Sequence, residues 1–295
     1  MKKVLKTLLI SLLAICMILP IVACDNGSSS DSTPGLKYKK IHGVYTIVDY
    51  VQEEGVTELN IGEKLPENVT NVRIKKGAFA GNSTLTKVIV SDKITLIDAG
   101  AFEKMGKLSS IELPFIGKTA NSDATLSETQ KGTEEYNKAV NSERTIAHIF
   151  GTEEYDAGVS ITINYDNTNT VTCYVPLTLK EVIVNATKDY SIPMYAFNGA
   201  VNLNSIKLLG KIDQIGEYAF VGVKEMTEIS IPSTVKKIRV GAFMECSKLA
   251  TVTFAEGISL EKIEKNAFAL TKVKADDVKK VYTMTDDQVK DIFGE

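Results

Sequence analysis

Cysteines, histidines and adjacent glutamates are the residues of this 295-residue sequence whose types and spacing could carry chemistry. Zinc-type ligation needs Cys and His at short, repeated intervals, and His42 and His148 stand far apart with no cysteine or His-Glu spacing beside them. Each reads as a surface or loop residue, and no metal is implied. Glu134-Glu135 and Glu153-Glu154 could act as paired carboxylates in acid–base work, but neighbouring carboxylates in polar sequence are ordinarily solvated. No Gly-x-Ser-x-Gly elbow, phosphate loop or dinucleotide fingerprint occurs. The chain therefore reads as non-enzymatic. Four cysteines are too few for a disulfide framework; Cys16 and Cys24 lie near the N-terminus, and Cys173 and Cys246 read as buried free thiols.

The N-terminal segment must be set aside before the fold is considered. Lys2, Lys3 and Lys6 form a basic start, and Leu5 to Val22 is an almost unbroken apolar run. Ile21-Val22-Ala23-Cys24 follows, and then the polar stretch Asp25 to Gly35. The tetrapeptide resembles the lipobox of bacterial lipoproteins. The resemblance implies cleavage before Cys24, with a diacylglycerol on its thiol and an N-acyl chain on its new N-terminus, enough buried methylene to anchor a soluble domain. Residues 1–23 are then a signal peptide and 24–35 the lipidated cysteine with a flexible tether. The expected address is an exported, membrane-anchored lipoprotein, at the cell surface rather than in the periplasm, with no cofactor beyond that lipid.

Net charge of −3 offers no electrostatic reason to expect nucleic acid, so membrane contact is expected through the lipid anchor only. The remaining residues have room for one large domain or one repeat array, and repeats decide the matter. Ala-Phe recurs at Ala78-Phe79, Ala101-Phe102, Ala196-Phe197, Ala219-Phe220, Ala242-Phe243 and Ala267-Phe268, the phenylalanines 23, 95, 23, 23 and 25 residues apart. Apolar residues stand 6, 9 and 11 positions after the first five, as in Leu85, Val88, Val90 and in Met226, Ile229, Ile231. An isoleucine precedes every Phe by five positions, from Ile74 to Ile263.

The Leu-x-x-Ile-x-Ile pattern is the strand signature of a leucine-rich repeat, with its last two apolar residues inward and the residue between them outward. It also occurs at Val56-x-x-Leu59-x-Ile61 and Leu179-x-x-Val182-x-Val184. The expected fold is a repeat solenoid of about 23-residue units, mainly β and loop, with one short strand per repeat. Seven such strands would make a sheet on the order of 30 Å long. Successive Phe rings would form an interior column. Residues 36–68 read as an N-terminal cap and first strand, 69–114 and 176–270 as repeats, and 271–295 as a C-terminal cap. Thr285-Asp-Asp-Gln288 in that cap looks like a capping box opening a short helix.

Units such as Ile229-Ser-Ile-Pro-Ser-Thr-Val-Lys-Lys-Ile238-Arg-Val-Gly-Ala242-Phe243 resemble the BspA-like leucine-rich repeats of bacterial surface proteins. Members of that family are implicated in adhesion to host matrix proteins, other bacteria or epithelium. The resemblance implies an adhesin-like module recognising protein or carbohydrate. Residues 115–175 interrupt the period and read as an insertion with a β-hairpin, Val159 to Tyr165 and Val171 to Val175 across Asp166 to Asn169. Leu113–Gly117, Ile149–Thr152 and Tyr174–Pro176 resemble a recurrent insert of the family. This excursion is one candidate binding region. The outward face of the sheet is the other, with Lys87, Glu112, Lys207, Glu228, Ser230 and Thr253 as candidate binding residues. A structural scaffold lipoprotein inside the envelope is the alternative to an adhesin. A two-lobed solute-binding protein is incompatible with the repeat register.

Overall fold

Parallel strands form wherever the Leu-x-x-Ile-x-Ile pattern falls, because apolar side chains two apart point to one face and can be buried only against the same face of the next turn. The computed structural model describes residues 32–120, 142–164 and 170–294. The expected signal peptide, Cys24, residues 25–31 of the expected tether, Glu134-Glu135 and Asp166 to Asn169 lie outside the described residues. An N-terminal hairpin of β1 (Gly35–Ile41) and β2 (Val44–Val51) precedes β3 (Glu58–Asn60), β4 (Val72–Ile74), β5 (Lys87–Ile89), β6 (Ile94–Ile97) and β7 (Ser110–Leu113). A second hairpin, β8 (Gly158–Asn164) and β9 (Thr170–Pro176), leads to β10 (Glu181–Ile192) and β11 (Ser205–Ile215). The last turns carry β12 (Glu228–Ile231), β13 (Lys237–Ile238), β14 (Thr251–Phe254) and β15 (Lys262–Ile263).

All seven anticipated strands are present, and at every Ala-Phe unit the isoleucine five before Phe lies in a second stretch of strand. A first ladder runs β3–β5–β7–β10–β11, with β12–β14 beyond it. A second ladder runs β2–β4–β6, ends there, and resumes through the ends of β10 and β11 to β13 and β15 in the other sheet. β10 and β11 serve both because their pairing continues past a register slip after Ala186, resuming at Tyr190↔Ile212. The expected uninterrupted sheet is corrected at β11, since β12 and β14 form a separate two-stranded sheet. Elsewhere one carbonyl clasps the next strand through two amides, as Lys180 O does with Asn204 N and Ser205 N, both 3.1 Å.

The third side of each turn is the Ala-Phe corner. Phe79 N donates to Ala101 O at 2.9 Å, Phe220 N to Ala242 O at 2.8 Å and Phe243 N to Ala267 O at 2.8 Å. The rings stack behind these bonds: Phe79–Phe102 centroids are 4.8 Å apart, Phe197–Phe220 and Phe220–Phe243 5.0 Å, and Phe243–Phe268 5.4 Å. The corner turns through left-handed residues two before and two after Phe, such as Gly77 and Gly81. At Gly241 a Cβ would also run into the ring of Tyr218, so glycine is required there for space as well as for φ.

The interval from Phe102 to Phe197 contains a turn that the Ala-Phe search misses. Phe102 N donates to Ile149 O at 2.9 Å and Gly100 N to His148 O at 3.0 Å, as Phe79 N and Gly77 N do to Ala101 O and Gly100 O one turn earlier. Ile149 therefore accepts where an alanine does elsewhere, and Phe150 beside it is fully buried and divides the 95-residue interval into 48 and 47, while the bond to Ala196 O comes from Ile146 N in place of the phenylalanine. Within the expected insertion 115–175, the turn Ile146–Phe150 thus lies in the stack itself. Lys118 N donates to Glu143 O at 2.8 Å just before it. After it comes the expected β8–β9 hairpin, whose Ile161, Ile163, Cys173 and Val175 are buried.

His148, expected at the surface, is 3% exposed within the 3-10 turn Ile146–Phe150. Its Nε2 lies 3.0 Å from Ile97 O, and its Nδ1 is buried with no partner. Both ends of the stack are closed by aromatic rings. Tyr50 lies 5.7 Å from Phe79, and Phe293 lies 5.7 Å from Phe268. Phe293 belongs to the helix Asp286–Phe293, which opens with the expected Thr285/Gln288 capping box and ends at left-handed Gly294. Phe268 N donates to Ile292 O at 3.1 Å, so Ile292-Phe293 imitates one more Ala-Phe corner.

Phe150→Ala should cost about 3–5 kcal/mol in urea unfolding, matching Phe220→Ala. A loss under about 1 kcal/mol would place Phe150 outside the core. Burial holds His148 below the ordinary imidazole value of 6.5, against the opposing bond to Ile97 O. Below that value the unfolded chain binds more protons than the folded one, so stability should fall as pH drops through and below it. Urea midpoints near pH 7 and about pH 5 measure the effect; His148→Gln should lose much of that acid sensitivity, and an unchanged slope would reject the assignment.

Candidate functional site

The outward face of the first ladder presents two rows of side chains, because alternate residues of each strand point away from the core. One row is Glu58, Lys87, Ser110, Glu181 and Ser205, paired strand to strand. The other is Asn60, Ile89, Glu112, Ile183 and Lys207. Lys87, Glu112 and Lys207 therefore share one continuous five-stranded face. Glu228, Ser230 and Thr253 do not join it; they are exposed on the separate β12–β14 sheet, where Ser230 pairs with Thr253.

Glu181 is the residue that organises the face, and the candidate set omits it. Lys207 Nζ lies 2.6 Å from its Oε1, Ser110 Oγ donates to its Oε2 at 2.8 Å, and Ser205 Oγ donates to Oε1 at 3.3 Å. One carboxylate thus joins three consecutive turns. The Lys207 ammonium holds this carboxyl below its ordinary range; burial opposes the shift and the two hydroxyls support it. Its position was readable from the Leu179-x-x-Val182-x-Val184 strand, where it precedes the first inward valine. Asn185 Nδ2 similarly donates to Glu112 Oε1 at 2.8 Å, and Lys87 lies 3.9 Å from Glu58. Ile89 and Ile183 flank Glu112 half-buried, giving a face of mixed polarity without a single-sign field.

No acid–base or nucleophilic constellation accompanies this face. Burial pushes the Cys173 thiol up to about 11 and Cys246 up to about 12, and neither forms a disulfide. Glu153 and Glu154 are exposed. Among the described residues no cluster of three or more His, Cys, Asp or Glu could hold a metal ion. A second concave region, about 510 Å³, lies beside the C-terminal helix and includes Glu217, Arg239, Glu264 and Tyr282. Arg239 bridges Glu217 at 3.0 Å and Glu264 at 2.9 Å, tying adjacent turns together. Sequence reasoning missed this brace because its members are 22 and 25 residues apart and carry no motif.

The family described as BspA type leucine rich repeat region matches residues 58–131 and 172–288, in six copies. The chain belongs to this BspA-type family. Leucine-rich repeats of this kind are protein-interaction modules, and they are generally non-enzymatic. Among solved structures, a leucine-rich repeat protein of T. pallidum is 16% identical, with 84% of this chain and 94% of that one covered and a TM-score of 0.39. A leucine-rich cell surface protein of Faecalibacterium prausnitzii is 16% identical, covering 81% and 45%, with a TM-score of 0.33. A leucine-rich repeat protein of Bacteroides ovatus is 19% identical, covering 81% and 56%, with a TM-score of 0.32. The chain spans about half the length of these last two. No curated protein matches the chain.

In this BspA-type solenoid Glu181 should titrate below an ordinary glutamate in a carbon-detected carboxyl NMR experiment. Lys207→Gln should move it back upward while leaving the fold intact. An unmoved Glu181 would show that the ammonium does not govern it.

Proposed function

We propose that the protein is an exported lipoprotein, held to a membrane by diacylglycerol and N-acyl chains on Cys24, that binds protein or glycan at the cell surface through the first-ladder face. The continuous five-stranded face carries this reading. Its backbone is fixed by the ladder and its side chains are held by Glu181 and Asn185, so a partner meets a preorganised surface and little side-chain entropy is lost on contact. Its composition, isoleucine beside carboxylate and lysine, suits partners recognised by mixed contacts. No helix among the described residues is long and apolar enough to cross a membrane; the proposed attachment is Cys24, on its resemblance to a lipobox cysteine. The protein is not an enzyme on this reading.

The mutual pairing of Lys207, Glu181 and Ser110 also suits a scaffold inside the envelope, where the face need not open to a ligand. Protease shaving of intact cells separates the two. Loss of the full-length protein with an internal control intact supports surface display, whereas full protection supports the scaffold. Cys24→Ala should abolish lipid incorporation and membrane partitioning without changing the unfolding transition; persistent partitioning would refute the anchor.

A further inference from the structure

The N-terminal hairpin closes the start of the second ladder, since β1 pairs only with β2 and β2 pairs onward with β4. Its tip concentrates cationic and apolar groups on one exposed point. Lys39, Lys40 and His42 are exposed, as is Ile41 at 36%. No carboxylate occurs from Tyr38 to Ile47. Lys40 Nζ sits 5.6 Å above the Tyr45 ring, and the rings of Tyr38 and Tyr45 are 6.2 Å apart. Beside the tip a groove of about 400 Å³ is lined by Ile41, His42, Val44, Thr46, Arg73 and Leu96, among others. Lysine, tyrosine and an exposed aliphatic together form the set that partitions to a lipid–water boundary: the stem and rings lie among acyl carbons and the ammonium meets phosphate.

Lysines on an edge strand also discourage pairing with another sheet. That role explains Lys37, Lys39 and Lys40 along β1, but it does not explain an exposed isoleucine at the tip beside a groove of mixed polarity that also includes Asn71 and Thr95. Chain length supplies the missing condition. Residues 25–34 separate Cys24 from β1, a length of chain that can reach at most about 35 Å. The tip lies about 20 Å along β1 from Gly35. A lipidated Cys24 therefore keeps the tip within reach of the membrane, and electrostatic attraction acts within the final ~8–10 Å.

We infer that the Lys39–His42 tip and its groove form a second membrane contact that takes anionic phospholipid headgroups of the bilayer holding Cys24. The contact rests on the lipidated-cysteine reading. It seats the first turn on the membrane and directs the stack of turns away from it, so the first-ladder face stands across the membrane normal instead of swinging on the tether.

The test uses the full lipidated protein on phosphatidylcholine vesicles and on phosphatidylcholine–phosphatidylglycerol vesicles. Flotation reads the anchor, and deuterium uptake by peptides covering residues 36–47 reads the tip. The expected result is flotation with both vesicles and slower uptake on the anionic ones alone. Lys39→Gln/Lys40→Gln should reduce that added protection, by about fivefold per lysine, with uptake in β10 and β11 unchanged as the folding control. Flotation with equal uptake on both vesicles overturns the tip contact and leaves the anchor standing. Failure to float overturns the Cys24 reading, and the tip contact with it. Protection that rises with protein concentration in the absence of vesicles overturns it in favour of a second copy on the β1 edge.

Discussion

Parallel strands repeat every ~4.8 Å, and every side chain at a given register must accept that distance from its counterpart in the next turn. The phenylalanine column shows the constraint most directly. Its ring centroids are 4.8 to 5.4 Å apart with interplanar angles of 12° or less. Aromatic quadrupoles by themselves favour offset or edge-on pairs, so the near-parallel order comes from the backbone repeat, and the flat rings are the side chains that fit it. Each buried ring contributes ~1.5–3 kcal/mol, yet none can do so without a neighbour above and below. Tyr50 and Phe293 are the corresponding requirement at the ends, where a ring from a non-repeating element covers the last exposed face.

Sequence alone revealed this column wherever the small residue before Phe is alanine. It did not reveal Phe150, because Ile149 replaces the alanine and His148 replaces the glycine, tyrosine or asparagine found at that step elsewhere. A 3-10 turn makes the substitution possible by carrying the chain through the corner with right-handed residues. The second ladder was hidden for a different reason. Its strands are as short as two residues, and one recurring isoleucine cannot show a period. The break after β11 has no signature in the apolar pattern, which continues unchanged through Ile229 and Ile231. The outward face was legible as positions but not as contacts: Glu181 acts through residues on two other turns.

Function in such a fold depends on separating what holds the turns from what faces outward. Inward positions are fully committed, and even the two available thiols are buried. Outward positions are free to vary in composition, and here they have been filled by residues that satisfy one another. Glu181, Lys207, Ser110 and Ser205 give a rigid surface at small cost, since exposed ion pairs contribute only ~0–1 kcal/mol to stability. The arrangement suits recognition by shape and mixed polarity better than long-range attraction, in keeping with a chain whose net charge is −3.

The segments on either side of Phe150 extend the same separation. Lys118 N to Glu143 O joins the two ends of the interval between those residues, and Tyr174 N to Gly151 O ties the β8–β9 hairpin back beside Phe150. Both segments therefore leave and re-enter at points fixed by the solenoid, beside a Phe150 that is fully buried. Loop closure costs only about (3/2)RT ln n for n residues, so lengthening one by a dozen residues is a small change in free energy. Removing the turn that carries them is a large one, because it takes Ile146, Ala147, Ile149 and Phe150 out of the core. Variation in this region is consequently possible in the loops and severely limited between Ile146 and Gly151.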